Sequence, residues 1–126
     1  MILLERSLVK IYNFYFEIES NFDEIDYPDF DNSMLPDIRA NVTSNFSEFG
    51  WYKIANDITN FDNMDDVLTA DAIDDLSDII IDLLETKWRI ENNSYNDGTW
   101  YFKLAFDTHT KQHILDLLNY ITQVNK

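Results

Sequence analysis

Cysteine is missing from the 126 residues, so disulfides, thiolate nucleophiles and cysteine zinc sites are all excluded. Glycine and proline are scarce, two of each, which removes most tight-turn signals and favours helices over a many-stranded sheet. Positive charge is scarce too: 9 Lys and Arg stand against 24 Asp and Glu, a net charge of −15. Duplex DNA and anionic membranes repel such a chain, whereas a basic protein is drawn to it quickly. The expected partner is therefore a basic protein, with neither nucleic acid nor membrane. No Ser sits in a Gly-flanked elbow, and there is no Gly-rich phosphate loop or internal repeat. Glu5 and Arg6 interrupt the apolar run MILLERSLVK, which reads as neither a signal peptide nor a spanning helix. The expected location is the cytoplasm.

What the chain does have is apolar bulk. At 45% hydrophobic and 15% aromatic it can bury a core, and its length suits one domain, residues 1–126. The expected fold is all-α, a bundle of about five helices. Residues 71–88, DAIDDLSDIIIDLLETKW, are the centre of that expectation. Turned at about 100° per residue, Ala72, Ile73, Leu76, Ile79, Ile80, Leu83 and Leu84 share one face. Asp71, Asp74, Asp75, Asp78, Asp82 and Glu85 share the other. Thr69 and Asp71 compete for the N-cap, and residues 64–68 lead in.

Around it, residues 2–19 place Leu4, Leu8, Ile11, Tyr12, Tyr15 and Ile18 at helical spacing. Residues 20–35 keep no period and read as an ordered loop whose aromatics pack on the bundle, or as an acidic-aromatic strip that docks a partner. Pro36 opens a helix carrying Ile38, Val42, Phe46 and Phe49, with Gly50 as its stop. Trp51, Ile54 and Ile58 predict a short third helix. Residues 92–98 read as a loop turning at Asp97-Gly98. Phe102, Phe106, His109, His113, Leu117 and Tyr120 then form one stripe, so a long helix over 99–123, capped by Thr99, is expected. Trp100, Phe102, Leu104 and Phe106 also alternate, which keeps open a hairpin of 88–91 with 99–106 and an α+β fold.

Two groups of residues bear on chemistry. His109 and His113 are spaced i, i+4, so both rings share one helix face, the spacing of two-histidine metal sites. Position 110 is Thr, so the HExxH zinc motif is not present. With Asp74, Asp78 or Asp82 from a neighbouring helix, the pair makes either a mixed His/carboxylate divalent-metal site or a simple polar network. The six acids from Asp71 to Glu85 make a solvated face or a docking surface for a basic partner.

The blocks DDLSDIIIDLLE (74–85) and WYFKLAFDTHTKQHILDLLNYI (100–121) resemble an uncharacterised bacterial family, domain of unknown function 5063. Asp74, Asp75, Leu76, Asp78, Ile79, Asp82 and Leu83 match its first block. Trp100, Phe102 or Leu104, Phe106, His109 and His113 match its second. FGWYKIANDI (49–58) and LVKIYNFYFEI are similar to further segments of its pattern. Ile80 replaces the family's Tyr, and Thr110-Lys111 its Trp-Gly. The resemblance implies a small, mostly helical domain whose Asp block and His pair belong to one pattern. It implies no activity.

The leading functional expectation is a small acidic protein-binding domain, such as an immunity protein or antitoxin that neutralises a basic toxin, with no cofactor. The alternatives are a metal-dependent hydrolase-like enzyme built on His109, His113 and Asp74, Asp78 or Asp82, and a regulatory or scaffold module, in one form a homodimer, touching partners near Trp51, Tyr52 and Tyr95. Oligomeric state is left open.

Overall fold

The amphipathic stretch with its line of acids is a helix, and the other elements pack around it. The computed structural model describes residues 1–63 and 65–124. In chain order these form α1 (Ile2–Glu17), a 3-10 turn (Asn32–Met34), α2 (Ile38–Asn45), β1 (Trp51–Ala55) and β2 (Val67–Asp71). There follow α3 (Ala72–Asn92), α4 (Tyr95–Ala105), a π turn (Phe106–Thr110) and α5 (Lys111–Val124). Met64, the first residue of the expected lead-in, lies outside the described residues.

Asp71 wins the capping position over Thr69. Its carboxylate accepts a hydrogen bond from Ile73 N–H at 2.9 Å, so β2 runs into α3 with no loop between. Asp74 and Asp75 in the first turn suit the positive end of the helix dipole. Ala72, Ile73, Leu76 and Ile79 are buried against Leu8 of α1, Ile38 and Val42 of α2, and Ile114, Leu117 and Ile121 of α5. Phe106 fills the middle of this core, stacked on Tyr15 at 4.5 Å and edge-on to Tyr12 at 5.2 Å. The loop before α2 makes contacts with α3 and α4. Phe22 packs on Trp100, Phe30 on Trp88, and Asp23 accepts from Tyr27 and Ser94.

The chain is mostly helical but mixed rather than all-α, because β1 and β2 form a two-stranded antiparallel sheet. Its register pairs Trp51 with Asp71 and Ala55 with Val67. The short helix expected from Trp51, Ile54 and Ile58 is therefore a strand. A helical phase would turn Trp51 and Ile58 inward, yet both lie more than three-quarters exposed. Period two operates instead: Tyr52 and Ile54 face in, and Trp51, Lys53 and Ala55 face out. Asn and Asp populate the connection, where the Asp57 carboxylate accepts from both Thr59 N–H and its hydroxyl.

The alternative hairpin of 88–91 with 99–106 is not formed, since both segments are helical. The loop expected over 92–98 shrinks to Asn93 and Ser94. Ser94 replaces Thr99 as the cap: its hydroxyl accepts from Asp97 N–H, and the helix starts at Tyr95. Gly98 sits inside α4, where helix and helix come close, not in a turn. α2 ends at Asn45, before the Gly50 expected to stop it.

Candidate functional site

Asp75 and Asp82 lie two turns apart on α3, and both are buried, at 6% and 8% exposure. They face the π turn and α5. A π turn adds one residue to a helical turn, and here Lys111 N–H donates to Phe106 O five residues back. With that extra residue, His109 and Thr110, neighbours in sequence, reach the same oxygen. His109 Nδ1 lies 3.0 Å from Asp82 Oδ2, and the Thr110 hydroxyl donates to it at 2.7 Å. One turn later, His113 Nδ1 lies 3.0 Å from Asp75 Oδ1, with its Nε2 3.6 Å from Asp78 Oδ2. Tyr52 of β1 donates its hydroxyl to the second oxygen of Asp75. The result is a polar seam, Tyr52–Asp75–His113–Asp78, that ties the sheet and α5 to α3. Beside it runs a second seam through Asp82, His109 and Thr110.

The line of six acids is thus not an open face. Asp71 and Asp74 both meet Arg39 of α2, and Glu85 accepts from Arg89 at 2.8 Å. Asp75 and Asp82 are buried, and because an unpaired buried carboxylate is costly each has partners, Tyr52 of β1 and His113 of α5 for Asp75, His109 and Thr110 of the π turn for Asp82. Asp74 and Asp78 alone among the six stay largely exposed. Of the residues proposed from sequence, His109, His113, Asp78 and Asp82 come together. Asp74 turns away to Arg39, and Asp75 takes the place given to it.

Sequence reading missed Tyr52, Thr110 and a second cluster on the far end of α3. There Arg89 donates to Asp97 at 3.2 Å, Asn93 donates to Asp97 at 2.8 Å, and the guanidinium lies over the Tyr101 ring at 4.7 Å. The alternation of residues 51–55 was a usable signal for Tyr52. None points to Arg89 and Asp97, which are joined only by the helix turn at Ser94.

The Asp75 carboxylate holds the His113 imidazolium above its usual range, against the opposing effect of burial. Burial also raises Asp78 and Asp116 above the ordinary carboxylate range. Tyr52 is pushed up by burial first and then by its bond to Asp75, so it stays a hydroxyl donor. A raised folded pKa means that the folded state holds its proton more tightly. For His113 the stabilisation is complete below about 6.5, the unfolded value, and fades as pH climbs through the folded one. For Asp78 and Asp116 it is complete below about 4 and fades on the same upward course. Melting temperature is therefore expected to fall from pH 6 to pH 8.5, with a shallower slope for His113→Gln. A wild-type melt that rises over this range, or an unchanged slope in the variant, refutes the assignment.

Both histidines spend Nδ1 on a carboxylate, an arrangement that fixes each ring. Among the described residues, no group of three or more His, Asp or Glu is placed to hold a metal ion. No described helix is long and apolar enough to cross a membrane. No protein-family model matches the chain, and neither a curated protein nor a solved structure does.

Proposed function

We propose that this chain is a small acidic protein-binding domain whose partner is a basic protein, in the manner of an immunity protein or antitoxin held against a toxin. One observation carries the reading. From Ile54 to Thr86 every charged residue is an acid, and in or beside that stretch Trp51, Ile58 and Phe61 stand more than three-quarters exposed. Acids steer a cationic protein inward, and exposed aromatic and aliphatic side chains supply what it buries on arrival. The docking surface is the outer face of the β1–β2 hairpin and its connection rather than the acid line of α3. Kinship with domain of unknown function 5063 belongs to the same proposal and rests on the two sequence blocks.

The test is affinity capture from the native host at low salt, followed by titration of the basic protein recovered. Paired Ile58→Ala and Phe61→Ala changes are expected to weaken binding about 30-fold or more. Raising ionic strength is expected to slow association steeply. Both changed side chains are exposed, so the variant keeps its fold and a weakened titration reports on docking. A chain that captures no basic protein, or binds one with no dependence on salt, would falsify the reading.

A further inference from the structure

Away from the acidic hairpin, one flank of the molecule is apolar and nearly neutral. On α1, Ile2, Val9 and Phe16 recur every seven residues, and all three are more than half exposed. Seven residues bring a helix back to the same side, so the three form one seam along its length. Leu115 and Leu118 of α5 widen that seam into a groove of about 310 Å³ beside Val9, Tyr12 and Phe16. The charges on α1 cancel, Glu5 and Glu17 against Arg6 and Lys10, and so do Lys111 and Asp116 on α5. The rest of the chain differs sharply, since between Glu19 and Asp37 every charged residue is again an acid.

We propose that this flank binds a second copy of the chain, two α1 helices docking antiparallel along the seam with Val9 on the two-fold axis. Charge selects the occupant. Two chains of net charge −15 repel each other over most approaches, and contact through α1 and α5 brings together elements of balanced charge. A basic partner gains nothing from a face without surplus acid. Symmetry fixes the register: antiparallel docking about Val9 sets Ile2 of one copy against Phe16 of the other, a small side chain meeting a large one at both ends. A helix of 16 residues is about 24 Å long, so the contact is at the small end of specific interfaces and the dimer is a micromolar one. This inference stands apart from the proposed function, because it uses a different face and predicts the opposite response to salt.

Light scattering at two concentrations tests it, and the missing cysteines make crosslinking clean. Wild type is expected to pass from the monomer mass of 15.0 kDa to twice that as concentration rises through the micromolar range, and salt is expected to strengthen the dimer. Val9→Glu places two carboxylates face to face at the axis and is expected to raise the dissociation constant at least about tenfold with an unchanged melt. Val9→Cys alone is expected to oxidise to a dimer, whereas Ile2→Cys crosslinks to Phe16→Cys and not to itself. A wild type that remains monomeric at millimolar concentration overturns the proposal. So does a Val9→Glu chain that dimerises as tightly as wild type, or Ile2→Cys pairing with itself.

Discussion

Asp75→Ala is expected to destabilise the protein by about 3 kcal/mol or more, because one buried carboxylate serves two partners from two other elements. The Tyr52 hydroxyl and the His113 Nδ1 both lose their acceptor. The sheet then loses its polar attachment to α3, and α5 loses one of two. For a chain of this length a loss of that size lowers the melting temperature by roughly 10 °C. Asp75→Asn is the informative companion. It keeps the volume and one acceptor oxygen, so it is expected to recover part of the loss while removing the charge that holds the His113 proton. Thermal melts of both variants at pH 6 and pH 8 check this. If Asp75→Ala melts within a degree or two of wild type, the seam is not a structural tie.

Gly98→Ala is expected to be the second severe change. A Cβ at that position would overlap the Ile90 side chain and come within 2.9 Å of both the Ile90 nitrogen and the Thr86 carbonyl oxygen. Side-chain atoms can swing aside, but two backbone atoms of α3 cannot. The helices must separate, which opens the packing on either side. Overpacking of this kind costs about 1–3 kcal/mol, and the backbone clash puts this site at the upper end or beyond. The disturbance should also reach Arg89 and Asp97, which bridge the same two helices and adjoin Ile90 and Gly98 in sequence. Denaturant unfolding with unchanged m-value is the measurement. Gly50→Ala is the control, since a Cβ there meets nothing within 4 Å.

These two residues also show what the sequence could and could not give away. The amphipathic period of α3 was plain in the letters, as were the capping role of Asp71 and the buried stripe through Phe102, Phe106 and Leu117. Those features are local: a few residues along one helix decide them. Gly98 looked like a turn because Asp-Gly usually is one. Only the approach of another helix explains a glycine inside α4, and no local pattern encodes that approach. The polar seam was half legible. Two histidines four apart and acids at helical spacing place side chains on faces, and the faces do meet. Which acids meet them depends on rotation about α3, and that turned the expected open acid line inward at Asp75 and Asp82. The hairpin was read as helix because Trp51, Ile54 and Ile58 fit a helical period over too short a window to exclude the strand. Arg39 was invisible as a partner of Asp71 and Asp74, because only the packing of α2 on α3 brings it near.

The π turn ahead of α5 makes the length of the chain at that point a fixed quantity. It is, in effect, one surplus residue lodged inside a helix that otherwise runs unbroken from Tyr95 to Val124. Excising that residue would restore a regular spiral and swing everything downstream by about 100°. Ile114, Leu117 and Ile121, which now have no exposed surface, would rotate out towards solvent, and His113 would leave its carboxylate. Loops elsewhere in the molecule can grow or shrink; this helix cannot change its residue count.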